Sequence, residues 1–174
     1  MGRESGIGNR AAVVVACAVF GVLTACNVSV TATSARAVVA GDSLTALLGD
    51  GPWRAVSLRV TNPHSDLIID GTDATDRRLV ITLYGIQERL VEGAPVTLAI
   101  DQQGAALVGI ATLTSNGGRS VWSTLGSGTS GSFTYQRIGA RIEGTFAMVL
   151  APAEGSSAEI FRSIWNGRFS LTLP

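Results

Sequence analysis

Lysine is absent from this 174-residue chain, and all 13 basic residues are arginine, set against 13 acidic ones. The formal net charge is zero and the pI is near 6.6. Proteins that grip nucleic acid meet its phosphates with clustered cations. Here the arginines stand singly, apart from Arg77-Arg78, so a nucleic-acid partner and a polybasic membrane anchor are both excluded. Histidine occurs once, at His64, and cysteine twice, at Cys17 and Cys26, too few for a zinc site built in the usual way from imidazole and thiolate. A membrane-spanning helix needs about 20 apolar residues; the run Ala11 to Ala25 has fifteen. Charged residues make up only 15% of the chain against 46% hydrophobic, the opposite of the balance that keeps a chain disordered. What remains is one small folded domain with a leader.

The leader has a polar start carrying Arg3 and Arg10, followed by that short apolar run, which is the pattern of a secretory signal peptide. The run ends in Leu23-Thr24-Ala25-Cys26. This resembles the lipobox of bacterial lipoproteins, in which a branched apolar residue and two small ones precede an obligatory cysteine. The resemblance implies a signal peptide over residues 1–25, cleavage before Cys26, and acyl chains on Cys26 that make the membrane its partner. Each buried methylene contributes about 0.8 kcal/mol, so two or three chains hold where one is marginal. Cleavage removes Cys17, and acylation consumes Cys26, which leaves no thiol for a disulfide, a redox pair or a metal. Asn27 rather than Asp follows the cysteine; by analogy with enteric sorting this favours the outer membrane of the cell envelope. Residues 26–41 then read as the lipidated cysteine and a Ser/Thr/Ala-rich tether.

From Asp42 to Pro174 the pattern has period two, the mark of half-buried strands. Along Arg137 to Leu150, residues Ile138, Ile142, Phe146, Met148 and Leu150 alternate with Arg141, Glu143 and Thr145. The same alternation runs through Val56, Leu58 and Val60, through Leu79, Ile81 and Leu83, through Val96, Leu98 and Ile100, through Phe133 and Tyr135, and through Phe169, Leu171 and Leu173. Turn signals separate these runs, among them Asn62-Pro63, Asp70-Gly71, Asn116-Gly117-Gly118 and Asn166-Gly167. The pattern predicts an all-β fold, an antiparallel sandwich or barrel of about eight to ten short strands. Ser43 to Leu48 allows one helical turn as an alternative to a strand, and Ser156 to Ile164 is ambiguous. The Gly126 to Thr129 turn, the Arg141 to Phe146 strand, Asn166 to Phe169 and Trp53 to Ala55 are together similar to a group of small bacterial lipoprotein domains. That likeness implies an exported all-β domain and brings no catalytic residues.

Five constellations suggest chemistry. Gly126 to Gly131 matches G-x-G-x-x-G, but a dinucleotide site needs a helix behind those glycines, and strand alternation follows instead. His64 lies in Asn62-Pro63-His64-Ser65-Asp66, whose neighbours on one turn point apart and so cannot converge as a triad. Asp66, Asp70, Asp73 and Asp76 form the densest acidic stretch; a solvated hairpin loop is the first reading, and a weak calcium site at Asp70, Asp73 and Asp76 is the second. Trp53, Trp122 and Trp165 read as core anchors, or alternatively as an aromatic platform for sugar or peptide. Gly51-Pro52-Trp53 resembles the Gly-x-Trp of lipocalins, which implies carriage of a small apolar ligand inside a barrel. The expectation is a membrane-anchored envelope lipoprotein whose β domain binds or supports a partner without catalysis and without a cofactor; a lipocalin-like carrier is the alternative.

Overall fold

The computed structural model describes residues 41–100 and 109–174. Their strands are β1 (Ser43–Leu48), β2 (Gly51–Arg54), β3 (Ser57–Thr61), β4 (Leu67–Thr72), β5 (Arg78–Leu83), β6 (Val96–Ile100), β7 (Gly109–Ser115), β8 (Ser120–Ser123), β9 (Ser130–Ile138), β10 (Arg141–Pro152) and β11 (Arg162–Thr172), with one 3-10 turn at Gln87–Arg89. The fold is all-β and antiparallel. Hydrogen-bonded neighbours run β2-β1-β11-β10-β8-β7-β5-β4-β3, and β9 then β6 branch from β10. Among the described residues no helix is long and apolar enough to cross a membrane.

Strand β10 makes the branch because it is 12 residues long. Its first nine residues pair with β9, whereas Ala151 and Pro152 pair with β8. At the other end of the path, the backbone N–H of Ala55 donates to Leu44 O at 3.0 Å and that of Val56 to Thr72 O at 2.8 Å. Consecutive strands β2 and β3 are thereby held to β1 and β4, and the sheet curls around one core. Leu44, Trp53, Leu67, Ile69, Leu79, Ile81, Phe133, Ile142, Leu150 and Leu171 are buried in a single apolar cluster.

Inside that cluster, three strands repeat a triplet: Gly131-Ser132-Phe133 on β9, Gly144-Thr145-Phe146 on β10 and Gly167-Arg168-Phe169 on β11. The β10–β11 register sets Gly144 opposite Phe169 and Phe146 opposite Gly167. Each ring takes the space a side chain would fill across from it. A Cβ on Gly144 would lie 2.6 Å from Phe169 Cζ, and one on Gly167 would lie 2.6 Å from Phe146 Cγ. Phe133 and Phe146 are also direct cross-strand partners, so the three rings stack in a row with centroids 5.7 and 6.4 Å apart.

Several details differ from the sequence expectation. The described residues form eleven strands, against about eight to ten expected, and Ser43–Leu48 is a strand. Residues 153–161 are a loop, and β11 begins only at Arg162. The pattern from Arg137 to Leu150 is not one strand, because Gly139 (φ +59°) and Ala140 form a two-residue hairpin turn between β9 and β10. Ile138 therefore stands at a turn, 48% exposed, while Ile142, Phe146 and Met148 are buried as expected. Val56 is exposed as well, since it sits at the corner between β2 and β3, where pairing passes from β1 to β4.

The glycine–phenylalanine fit predicts a definite ranking in denaturant unfolding. Phe146→Ala is expected to cost about 3–5 kcal/mol through its cavity, and Gly167→Ala about 1–3 kcal/mol through overpacking. Thr145→Ala should stay within about 0.5 kcal/mol of the parent. In the Phe146→Ala background the Gly167→Ala penalty should shrink, since the ring it would strike is gone; additive costs would disprove the fit.

Candidate functional site

The middle residue of each triplet points away from the core, because successive residues of a strand face opposite sides. Ser132, Thr145 and Arg168 therefore share the outer face with their neighbours on adjacent strands. Register extends this into rows: Thr145 pairs with Arg168 and Thr134, Thr134 with Thr97, and Arg168 with Thr45. One row along, Glu143 pairs with Ser170 and Gln136, and Ser170 with Ser43.

Between these rows lies an open trough of about 450 Å³, lined by Thr134, Gln136, Glu143, Thr145, Arg168 and Ser170 and reaching Ser43 on one side and Pro95 on the other. A smaller hollow of about 230 Å³ adjoins it, lined by Ser132, Ala147 and Asn166 and sharing Thr145 and Arg168. Part of the wall is braced. Arg141 donates to Ser170 Oγ at 2.6 Å, Ser170 donates to Glu143 Oε1 at 2.9 Å, and the Thr97 and Thr134 hydroxyls are 3.1 Å apart. By contrast, the side chains of Arg168, Gln136 and Thr145 have no polar partner among the described residues. At the rim the β10–β11 register slips between Phe146 and Met148, so Trp165 and Asn166 together oppose Ala147. Asn166 takes φ +49° at this bulge, and Trp165 turns outward, 51% exposed, beside Leu47. Bulges commonly re-aim a side chain in this way.

The acidic stretch builds something else. Asp73 is buried at the β4–β5 turn and accepts the backbone N–H groups of Thr75 and Arg77, each at 2.9 Å, and Arg77 Nε at 2.8 Å. Arg77 Nη1 continues to Asp50 at 3.0 Å, whose other oxygen lies 3.4 Å from Arg162 Nη1. Arg162 in turn lies over the Trp122 ring, 4.9 Å from its centroid. Asp70 is engaged by Arg78 through two bonds of 2.8 and 2.7 Å, and Asp76 is an exposed turn residue with φ +61°. Two of the three carboxylates of the calcium reading, Asp70 and Asp73, thus face arginines or backbone donors, while Asp76 stands exposed at the turn. Among the described residues no three acidic, His or Cys side chains gather as metal ligands. A polar opening of about 620 Å³ lies at this end, between Asp50, Asn116, Ser157 and Arg162.

The remaining candidates fall apart as sites. His64 is exposed at φ +58°, and Asp66 beside it accepts Gly85 N–H at 2.9 Å without meeting His64. The Gly126 to Gly131 segment is a loop tied by Thr129 Oγ1, which donates to Thr124 O at 2.7 Å and Gly126 O at 2.9 Å, and it leads into β9. Trp53 and Trp122 are core anchors, and their indole N–H groups donate to Arg77 O and Ile160 O. The platform reading survives for Trp165 alone. Leu23, Thr24, Ala25, Cys26 and residues 27–40 lie outside the described residues; Gly41, the last residue of the tether, accepts Arg141 Nη2 at 2.8 Å. The sequence reading missed the trough, although Gly-x-Phe recurring at 131, 144 and 167 was a signal for it.

Burial raises the pKa of Asp73, but the hydrogen bonds from Arg77 and Thr75 together outweigh it and leave the carboxyl below its ordinary value. Its stabilising contribution is therefore full above the unfolded value, near pH 4, and is lost as pH falls through the lower folded value. Asp73→Asn is expected to cost about 1–3 kcal/mol at pH 7. The difference from the parent should narrow below pH 4 in unfolding curves taken across that range; a gap independent of pH would contradict the assignment.

No family model, curated protein or solved structure matches this chain.

Proposed function

We propose that the chain is a cell-envelope lipoprotein, held to the membrane by acyl chains on Cys26, whose β domain binds a partner rather than transforming it. The observation that carries the anchoring is Leu23-Thr24-Ala25-Cys26 directly after a short apolar run, with 15 residues between the cysteine and the start of the β domain at Asp42. Support for binding comes from the outer trough, whose Arg168, Gln136 and Thr145 side chains are left without partners among the described residues. The charged groups at the loop end are instead engaged with each other. The absence of Asp after Cys26 favours the outer membrane where the cell has one.

The lipocalin-like alternative rests on Gly51-Pro52-Trp53. Trp53 is 2% exposed and packs in the core, and Gly71 gives it room, since a Cβ there would lie 3.0 Å from its ring. A carrier holds its ligand where these side chains stand, so the packing supports the binding-domain reading over the carrier.

Cys26→Ser is expected to move the protein from the membrane pellet to the soluble fraction, because it removes the acyl attachment atom. Fractionation with salt and carbonate washes checks this, together with the mass of the mature N-terminal peptide. A mutant still in the washed pellet, or a parent Cys26 without lipid, overturns the anchoring.

A further inference from the structure

We infer that the trough on the outer face of β9, β10 and β11 is a binding cleft for a linear saccharide chain; this deepens, and rests on, the reading of the β domain as a binding module. Its shape comes first. The trough crosses the strands rather than following them, from Ser43 on β1 over Arg168 and Ser170, Glu143 and Thr145, and Thr134 and Gln136, to Pro95 just before β6. Five chain segments side by side, at about 4.8 Å each, give a length of roughly 20 Å. That suits an extended polymer better than a compact metabolite.

Its chemistry comes second. A guanidinium offers donors only, a carboxylate acceptors only, and amides and hydroxyls both. Arg168, Glu143, Gln136 and Thr145 thus present a mixed set in a small space, matched to ligands that carry donors and acceptors all along their length, as sugars do. Arg168, Gln136 and Thr145 are unpaired among the described residues, so a ligand gains their hydrogen bonds without breaking protein ones. They stand on paired strands, which fixes their backbone positions and spacing before binding.

The rim supplies what is left. A sugar ring has an apolar C–H face, and the indole of Trp165, 51% exposed beside Leu47 at 39%, offers a flat apolar surface next to the Asn166 end of the hollow. Other ligand classes fit less well. An apolar ligand would bury Arg168 and Gln136 without partners. An extended peptide ordinarily adds to a sheet edge and takes its bonds from the backbone, whereas this trough lies on a sheet face whose backbone is already paired.

The test uses the full chain, extracted from membranes in mild detergent and applied to an array of linear neutral and uronate-containing oligosaccharides of four to eight sugars, beside an array of unstructured peptides. Binding to the saccharides is expected, with a change in tryptophan fluorescence on titration. Arg168→Ala, Gln136→Ala and Trp165→Ala should each weaken it by about tenfold with unchanged unfolding midpoints. Asn116→Ala, at the loop end, should leave it unaltered. No saccharide bound at millimolar concentration, or binding indifferent to the three trough substitutions, overturns the inference. Peptide binding that depends on Arg168 would overturn the saccharide class while leaving the binding-module reading intact. Saccharide binding lost in Asn116→Ala alone would move the site to the loop end.

Discussion

Two phenylalanine rings laid over two glycines hold the central strands of this domain in place. Gly144 faces Phe169, and Phe146 faces Gly167, so each partner supplies what the other lacks. A slip of the β10–β11 register by two residues would set Phe146 against Phe169 and Gly144 against Leu171, losing both fits at once. A slip of β11 by one would turn Arg168 inward, where an unpaired charge is costly. The fit therefore fixes register more narrowly than hydrophobic alternation alone. Because β10 carries both β9 and β8, fixing β10 also fixes where the sheet branches.

The triplets connect the interior with the surface. Glycine and phenylalanine serve the core, and the residue between them, Ser132, Thr145 or Arg168, faces outward. Packing thus sets the spacing of the trough, since the middle residues cannot shift without moving the rings beneath them. The bulge at Trp165 and Asn166 ends this arrangement. Beyond it the ladder resumes one residue out of step, with Ile164 returned to the core and Trp165 left outside.

Much of the fold was legible in the sequence, because a curled sheet with one buried side writes its period into each strand. Leu79, Ile81 and Leu83 are fully buried, as their spacing indicated. Period two is blind to direction, however, and Gly139-Ala140 could be passed over because inward and outward residues alternate on both sides of that hairpin. The site was less legible. The acidic residues drew attention as possible ligands, yet the backbone around Asp73 closes on it within four residues, a local turn that composition does not reveal. The trough needed three strands whose pairing is long-range, and the sequence offered only a recurring triplet with no indication that its copies lie side by side.

The point where the chain enters the domain is held from across the fold. Asp42 accepts the backbone N–H of Thr172 at 2.8 Å and its hydroxyl at 2.9 Å, 130 residues away, and Arg141 Nη2 grips Gly41 O. Any pull arriving through the residues before Gly41 is thus divided among β1, β10 and β11 at the moment it enters. Strand β1 lies between β2 and β11, so tension along it acts on two ladders in shear, where bonds bear load together, rather than peeling one edge bond by bond. The Asp42 and Gly41 contacts thus stand between the entering chain and the three strands that carry the stacked rings.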